Sequence, residues 1–263
     1  LAYDGHDSLF FEAILLLFKL ITVPLFILIV TLSGKRWGSE VAGTMGAFPV
    51  VAGPILFFLT LDQGIDFGSN AAVFAIYAVI SLLVFLLSYS WVCIYWHFIP
   101  CLIVSMLAWL ISAYLLTLFP VDLYDAFLLS NLSLFVVAYL FPKTQITHKP
   151  TQNLNDLPFR MLVGATLTYL ITSLAGDLGE VWSGILSVFP VITLVLAVFT
   201  HRGLGSAQVV FIFRGITKGL YSFVAYFFIY SLCLPIYGLW LTILLSVMGA
   251  IATQVFLQKV IYK

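Results

Sequence analysis

Apolar runs of about 20 residues recur along this chain from Ser8 to Tyr262, each closed by a short polar loop. A run of that length as a helix matches the hydrocarbon thickness of a bilayer, so the pattern predicts a series of membrane crossings and not one globular core. Only 8% of the 263 residues are charged and 63% are hydrophobic, against roughly a quarter charged in an ordinary soluble domain. The longest polar stretch, Lys143 to Asp156, is too short to fold alone. Glycine, proline and charge clusters divide the chain into nine expected spans. These are Ser8 to Leu32, Gly38 to Leu61, Ser69 to Trp96, Phe98 to Phe119, Leu123 to Phe141, Leu157 to Leu174, Trp182 to Thr200, Ser206 to Leu232 and Ile236 to Leu257.

Loop charges test that count, because cytoplasmic loops carry the excess of Lys and Arg. Alternate loops receive Lys35 and Arg36, His97, Lys143 and Lys149, His201 and Arg202, and finally Lys259 and Lys263. The opposite side receives Asp4, Asp7, Asp62, Asp66, Asp122, Asp125, Asp177 and Glu180, without a Lys or Arg. A miscounted helix would mix the two sets. The expected orientation is N-terminus outside and C-terminus cytoplasmic. The opening residues lack the pattern of a cleavable signal peptide, so the first helix is expected to direct insertion.

A shift of about 141 residues superposes the two halves without gaps. Leu16 to Lys19 falls on Leu157 to Arg160, Gly38 on Gly179, Gly43 on Gly184, Phe48-Pro49-Val50 on Phe189-Pro190-Val191, Gly64 on Gly205, and Tyr89-Ser90 on Tyr230-Ser231. Helices one to four therefore match helices six to nine, with helix five as connector. The expected divisions are residues 1–122, 123–156 and 157–263. Matching helices differ by five crossings, an odd number, which inverts the second repeat. Inverted repeats are the usual architecture of secondary transporters, although duplication for stability alone would leave the same pattern.

Within each repeat the second helix carries a glycine followed by Phe-Pro-Val. Proline lacks the amide donor and clashes with the preceding turn, so helices two and seven are expected to kink or break near Pro49 and Pro190. Phe48, Pro49, Phe189 and Pro190 then become candidates for a substrate site at the repeat interface. A packing kink is the alternative.

Arg214 and Lys218 share one face of helix eight, about 12 and 18 Å into the span. Buried cations by default face an interior or watery cavity with a partner, so the pair is a candidate anion site. Alternatively Arg214 snorkels to the cytoplasmic interface and Lys218 pairs with an acid such as Glu12. Lys19 and Arg160 are repeat mates that could attract an anion alternately from either side, or anchor the interface. Glu12 could neutralise Lys19 or exchange a proton as the coupling residue. Asn131, mid-span in helix five, is expected to bond between helices. Cys93, Cys101 and Cys233 lie singly and are expected to pack. His6, His97, His148 and His201 fall in loops or at helix ends. No metal, cofactor, phosphate-loop or nucleophile-elbow motif is present, so no enzyme is expected. Trp37, Trp96, Tyr124 and Tyr237 read as interfacial belts.

From Gly38 to Gly64, and again from Gly179 to Gly205, the order of glycine, apolar residues, proline and closing glycine resembles the repeat of small bacterial inner-membrane proteins of the GlpM-like type. The resemblance covers about half of each repeat. It implies a bacterial inner-membrane protein with two units fused in one chain, and carries no activity with it. The expected function is that of a secondary transporter or flippase for a small anion or an anionic lipid head group. An anion channel and a non-transporting subunit of an envelope-synthesis complex are the alternatives. The expected partners are the lipid bilayer and that anion or anionic lipid, with no nucleic acid.

Overall fold

A computed structural model describes residues 5–144, 155–175 and 178–260, with side chains from residue 21 onward except those of 172, 175 and 260. The side chains of Glu12 and Lys19, together with His148, Lys149, Gly176, Asp177 and Lys263, lie outside the described residues. The described chain is all-helical. Its elements are α1 (Gly5–Trp37), α2 (Ser39–Gly46), α3 (Ala52–Gln63), α4 (Ile65–Val92), α5 (Phe98–Thr117), α6 (Leu123–Leu140), α7 (Leu157–Ala175), α8 (Gly179–Ser187), α9 (Val191–Leu204) and α10 (Ser206–Val260). Among the described residues, five helical stretches are long and apolar enough to cross a membrane: Ile65–Val92, Phe98–Thr117, Leu123–Leu140, Gly179–Leu204 and Ser206–Lys259.

Helices two and seven are each split in two. The breaks fall at residues 47–51, between α2 and α3, and at 188–190, between α8 and α9. Helices eight and nine run together as α10, which contains Pro235 and turns at Gly238 (φ 70°). The expected boundary near residue 235 is thus displaced to the glycine, where the backbone can leave helical space. Beyond Gly238 the chain folds back, because Gly249 abuts the Ile229 side chain.

Adding 141 to the bounds of α2 and α3 lands within two residues of α8 and α9, and the starts of α4 and α10 correspond directly. Gly64 and Gly205 close the same turn, with φ/ψ of 97°/174° and 88°/171°. An L-residue with a side chain would be strained there.

The contacts repeat as well as the elements. A Cβ on Gly43 would strike the Ile212 carbonyl and the Ile216 amide, and one on Gly184 would strike the Ala71 carbonyl and the Ala75 amide. These are the same positions with the halves exchanged. Each short helix therefore lies backbone to backbone on the long helix of the other half, an approach that only glycine permits. The long helices run antiparallel. Ser69 Oγ donates to the Ser231 carbonyl at 3.0 Å at one end, and Cys93 Sγ lies 4.0 Å from the Ser206 carbonyl at the other.

The core sits along α4 and the first segment of α10, where Ile76, Leu83, Phe85, Leu86, Phe213, Phe227 and Tyr230 are almost fully buried. Around it, α5, α6, α7 and the second segment of α10 expose Ile103, Leu128, Phe135, Leu162, Trp240 and Met248. Such a girdle of large apolar side chains is unfavourable in water and suited to lipid. α6 bridges the halves: Ser130 Oγ donates to the Ile76 carbonyl at 2.7 Å, and Phe127 meets Phe228 at 4.4 Å between ring centroids. The interhelical bond expected of Asn131 is made by Ser130 instead, since Asn131 donates back to Phe127 within its own helix. Cys93 and Cys101 are buried and Cys233 is partly buried, all as free thiols. Trp37, Trp96, Tyr124 and Tyr237 are exposed.

Candidate functional site: two facing helix breaks

The local sequence explains each break. Pro49 and Pro190 have no N–H to continue the ladder. The chain instead makes tight turns, with Phe48 and Phe189 N–H donating to Met45 and Leu186, and Val50 and Val191 N–H donating to Phe48 and Phe189 at 2.7 Å in both cases. The helix resumes where Gly53 and Leu194 donate to the proline carbonyls at 2.8 and 2.7 Å. Two amides are skipped in each half. Among the described residues, the N–H groups of Val51 and Ala52, and of Ile192 and Thr193, make no backbone hydrogen bond, and no side chain caps α3 or α9.

Both breaks line one cavity of about 50 Å³, bounded by Phe48, Pro49 and Ala52 from one half and Phe189, Pro190 and Thr193 from the other. Ile216, Leu220 and Phe223 of α10 close it. Its volume suits a few water-sized groups. The walls are mainly apolar, with polarity from the backbone at the half-helix ends and from the Ser187 and Thr193 side chains. The first turn of a helix carries a partial positive charge and amides pointing along the axis, a combination that binds anions. Phe189 is held from behind by Trp109, with ring centroids 5.2 Å apart at 81°. Phe48 is partly buried against the core.

The cations expected at this site are elsewhere. Arg214 and Lys218 lie two residues either side of Ile216, which at 100° per residue turns them to the opposite face of α10. Arg214 Nη2 donates to the Pro142 carbonyl at 2.9 Å and its guanidinium lies 5.5 Å over Phe211. Lys218 pairs with Glu40 of α2. Arg160 is 2% exposed, pairs with Asp156 at 2.9 Å and lies 5.0 Å from the Phe199 ring centre. None of the three lines the cavity. Side chains on one helix face cannot serve two sides, and α10 presents its aliphatic face to the breaks.

Sequence reasoning missed Glu40. The signal was present, since Glu40 is an acid just after Lys35 and Arg36 and, like Asp156 beside Lys143 and Lys149, departs from the separation of charges. The hydroxyl partners of the long helices were missed too. Thr60 Oγ1 lies 2.9 Å from Tyr230 Oη, and Tyr89 Oη lies 3.2 Å from His201 Nδ1. The assignment of His201 to a helix end is right, but its ring faces inward to this bond.

Together these features define a class: an all-helical integral membrane protein with two broken helices meeting at its centre. No protein-family model matches the chain, and neither a curated protein nor a solved structure matches it.

Proposed function

We propose that this chain crosses the bilayer nine times as two inverted repeats and carries a small anion by alternating access through the cavity between the Pro49 and Pro190 breaks. The observation that supports this most is the pair of uncapped half-helix N-termini, at Val51-Ala52 and Ile192-Thr193, which open on one central cavity. Amides without partners are costly in a low-dielectric interior, and an anion between them would satisfy both sets together. Discontinuous helices meeting at a repeat interface are the common form of transporter sites.

The antiparallel α4 and α10, with contacts that recur on exchange of the halves, are what an axis in the membrane plane produces. The breaks can then swap roles as access alternates. The cavity of about 50 Å³ favours a small inorganic anion over a lipid head group. Arg214 acts in this reading through its field, raising the local potential for anions without touching the ion, whereas Lys218 and Arg160 are paired with Glu40 and Asp156. A bacterial inner membrane is the proposed location, following the resemblance of the two glycine-bounded segments.

The test is anion flux into proteoliposomes of the full chain, with halides, nitrate, formate and phosphate offered in turn. Saturable uptake of one anion, driven by a counter-gradient and reduced at least tenfold by Pro49→Ala or Pro190→Ala, supports the proposal. Flux that follows only membrane potential and does not saturate points to a channel. No flux of any anion points to an accessory role.

A further inference from the structure

A second cavity, unrelated to the breaks, opens where α2 meets the two segments of α10. It encloses about 780 Å³ and is lined by Trp37, Ser39, Glu40, Thr44, Phe211, Lys218, Gln254 and Gln258, among others. That size matches a site for a whole organic group.

Its chemistry is graded. One wall holds the Lys218–Glu40 ion pair, whose side chains remain 33% and 43% exposed. Beside them the Gln254 side-chain amide is buried at both Oε1 and Nε2, and neither atom has a hydrogen-bond partner. A buried amide with both ends unsatisfied is rare in native structures and marks a missing ligand or water. The apolar part of the wall is Val41 and Phe211. Trp37, 60% exposed, stands at the mouth, with the Arg36 guanidinium 5.4 Å from its ring centre. Lys35 and Lys259 adjoin the lining residues in sequence. Lys35, Arg36 and Lys259 thus add cations within two residues of the lining, in which Glu40 is the acid.

The repeat mates isolate the feature. Lys218, Glu40 and Gln254 correspond to Tyr77, Val181 and Ala113, and Tyr77 and Ala113 are buried in apolar packing. The duplicated fold does not require a polar cleft here, since the other half does without one.

We propose that this cleft binds the phosphate head group of an anionic phospholipid. The phosphate oxygens accept from Lys218, and the Gln254 side chain turns its buried amide towards the head group, where Nε2 donates to the phosphate and Oε1 accepts from a head-group hydroxyl. Trp37 and Arg36 hold the interfacial glycerol region, and the acyl chains run out along Val41 and Phe211. Basic pockets between membrane helices on the cytoplasmic side take phospholipid head groups by this combination of charge and interfacial depth. The lipid pins α2, the half-helix that leads into the first break, against α10.

The test uses the purified full chain in detergent and does not depend on transport. Thermal unfolding is followed while titrating phosphatidylglycerol, phosphatidylcholine or inorganic phosphate, with native mass spectrometry counting retained lipid. Phosphatidylglycerol should raise Tm saturably and stay bound as one lipid, with the effect weakened by salt. The Glu40→Gln/Lys218→Met double variant, which leaves no lone charge, should bind it at least about tenfold more weakly. Gln254→Leu should also weaken binding while leaving the lipid-free protein as stable as before or more so, and it serves if the double variant does not fold. Equal stabilisation by phosphatidylcholine, undiminished binding in the folded variants, or no retained lipid would overturn the proposal. Inorganic phosphate matching phosphatidylglycerol would overturn the lipid assignment in favour of a small-anion site.

Discussion

Thr60 Oγ1 of α3 and Tyr230 Oη of α10 lie 2.9 Å apart, and their repeat mates His201 and Tyr89 make the matching contact at 3.2 Å. The residue types differ between the two bonds, hydroxyl in one and imidazole in the other, yet the geometry is kept. Each bond ties the second half of a broken helix to the long helix of the other repeat. Removing one hydroxyl with Tyr230→Phe should cost about 0.6–1 kcal/mol, the usual worth of a hydrogen bond between membrane helices. Tyr89→Phe should cost a similar amount. Thermal unfolding of the two single variants and the double, read as a cycle, checks whether the bonds are independent.

Gly43 and Gly184 each make a close backbone approach to the long helix of the other half, and Gly215 returns the first against the Glu40 carbonyl. Alanine at either should force α2 from α10, or α8 from α4, and destabilise by about 1–3 kcal/mol or more. Gly203→Ala is the control, because nothing lies within 4 Å of its added methyl and alanine favours a helix. A Tm that falls for Gly43→Ala and Gly184→Ala but not for Gly203→Ala is the expected result.

Pro49→Ala and Pro190→Ala should each restore an N–H donor and allow the helix to extend through the break. Helical content measured by circular dichroism should stay the same or rise slightly while anion flux falls at least tenfold. Loss of flux without loss of fold separates a role for the breaks in transport from a role in packing.

Arg160 is buried and pairs with the partly exposed Asp156, and its Nε and Nη1 have no hydrogen-bond partner among the described residues. Arg160→Met alone should destabilise by about 1–3 kcal/mol, since it strands the half-exposed Asp156 and removes the packing on Phe199. Adding Asp156→Asn should recover part of that loss, because a pair replaced together leaves no lone charge. Unfolding midpoints of the two single variants and the double settle the sign of the coupling.

The proposed nine crossings would place Lys35 and Arg202 on one side of the membrane and Asp122 on the other. Single cysteines at these positions, in a chain with Cys93, Cys101 and Cys233 replaced by alanine, should label from opposite sides with an impermeant maleimide. Labelling of all three from one side would require a different count.

The local signals were legible because they act over a few residues. Hydropathy marks a lipid-solvated helix wherever about 20 apolar residues adjoin, and proline breaks the ladder whatever surrounds it. The two breaks, the 141-residue correspondence and the glycine closures at Gly64 and Gly205 could therefore be read directly. The identity of Lys218's partner could not. Glu12 was the acid considered, but Glu40 is the acid that α2 presents once Gly43 lets that helix lie on α10. The same packing turned Ile216 and Leu220 towards the breaks and carried Arg214 and Lys218 away from them.

By itself, then, the sequence determined the membrane-suited class, the duplication and the places where the helices break, all properties of short segments and of a solvent that forbids unpaired backbone. The tertiary structure alone decided which faces meet. A few close-packed glycines set the rotation of each helix, and that rotation chose a mainly apolar centre and a separate polar cleft from one set of side chains.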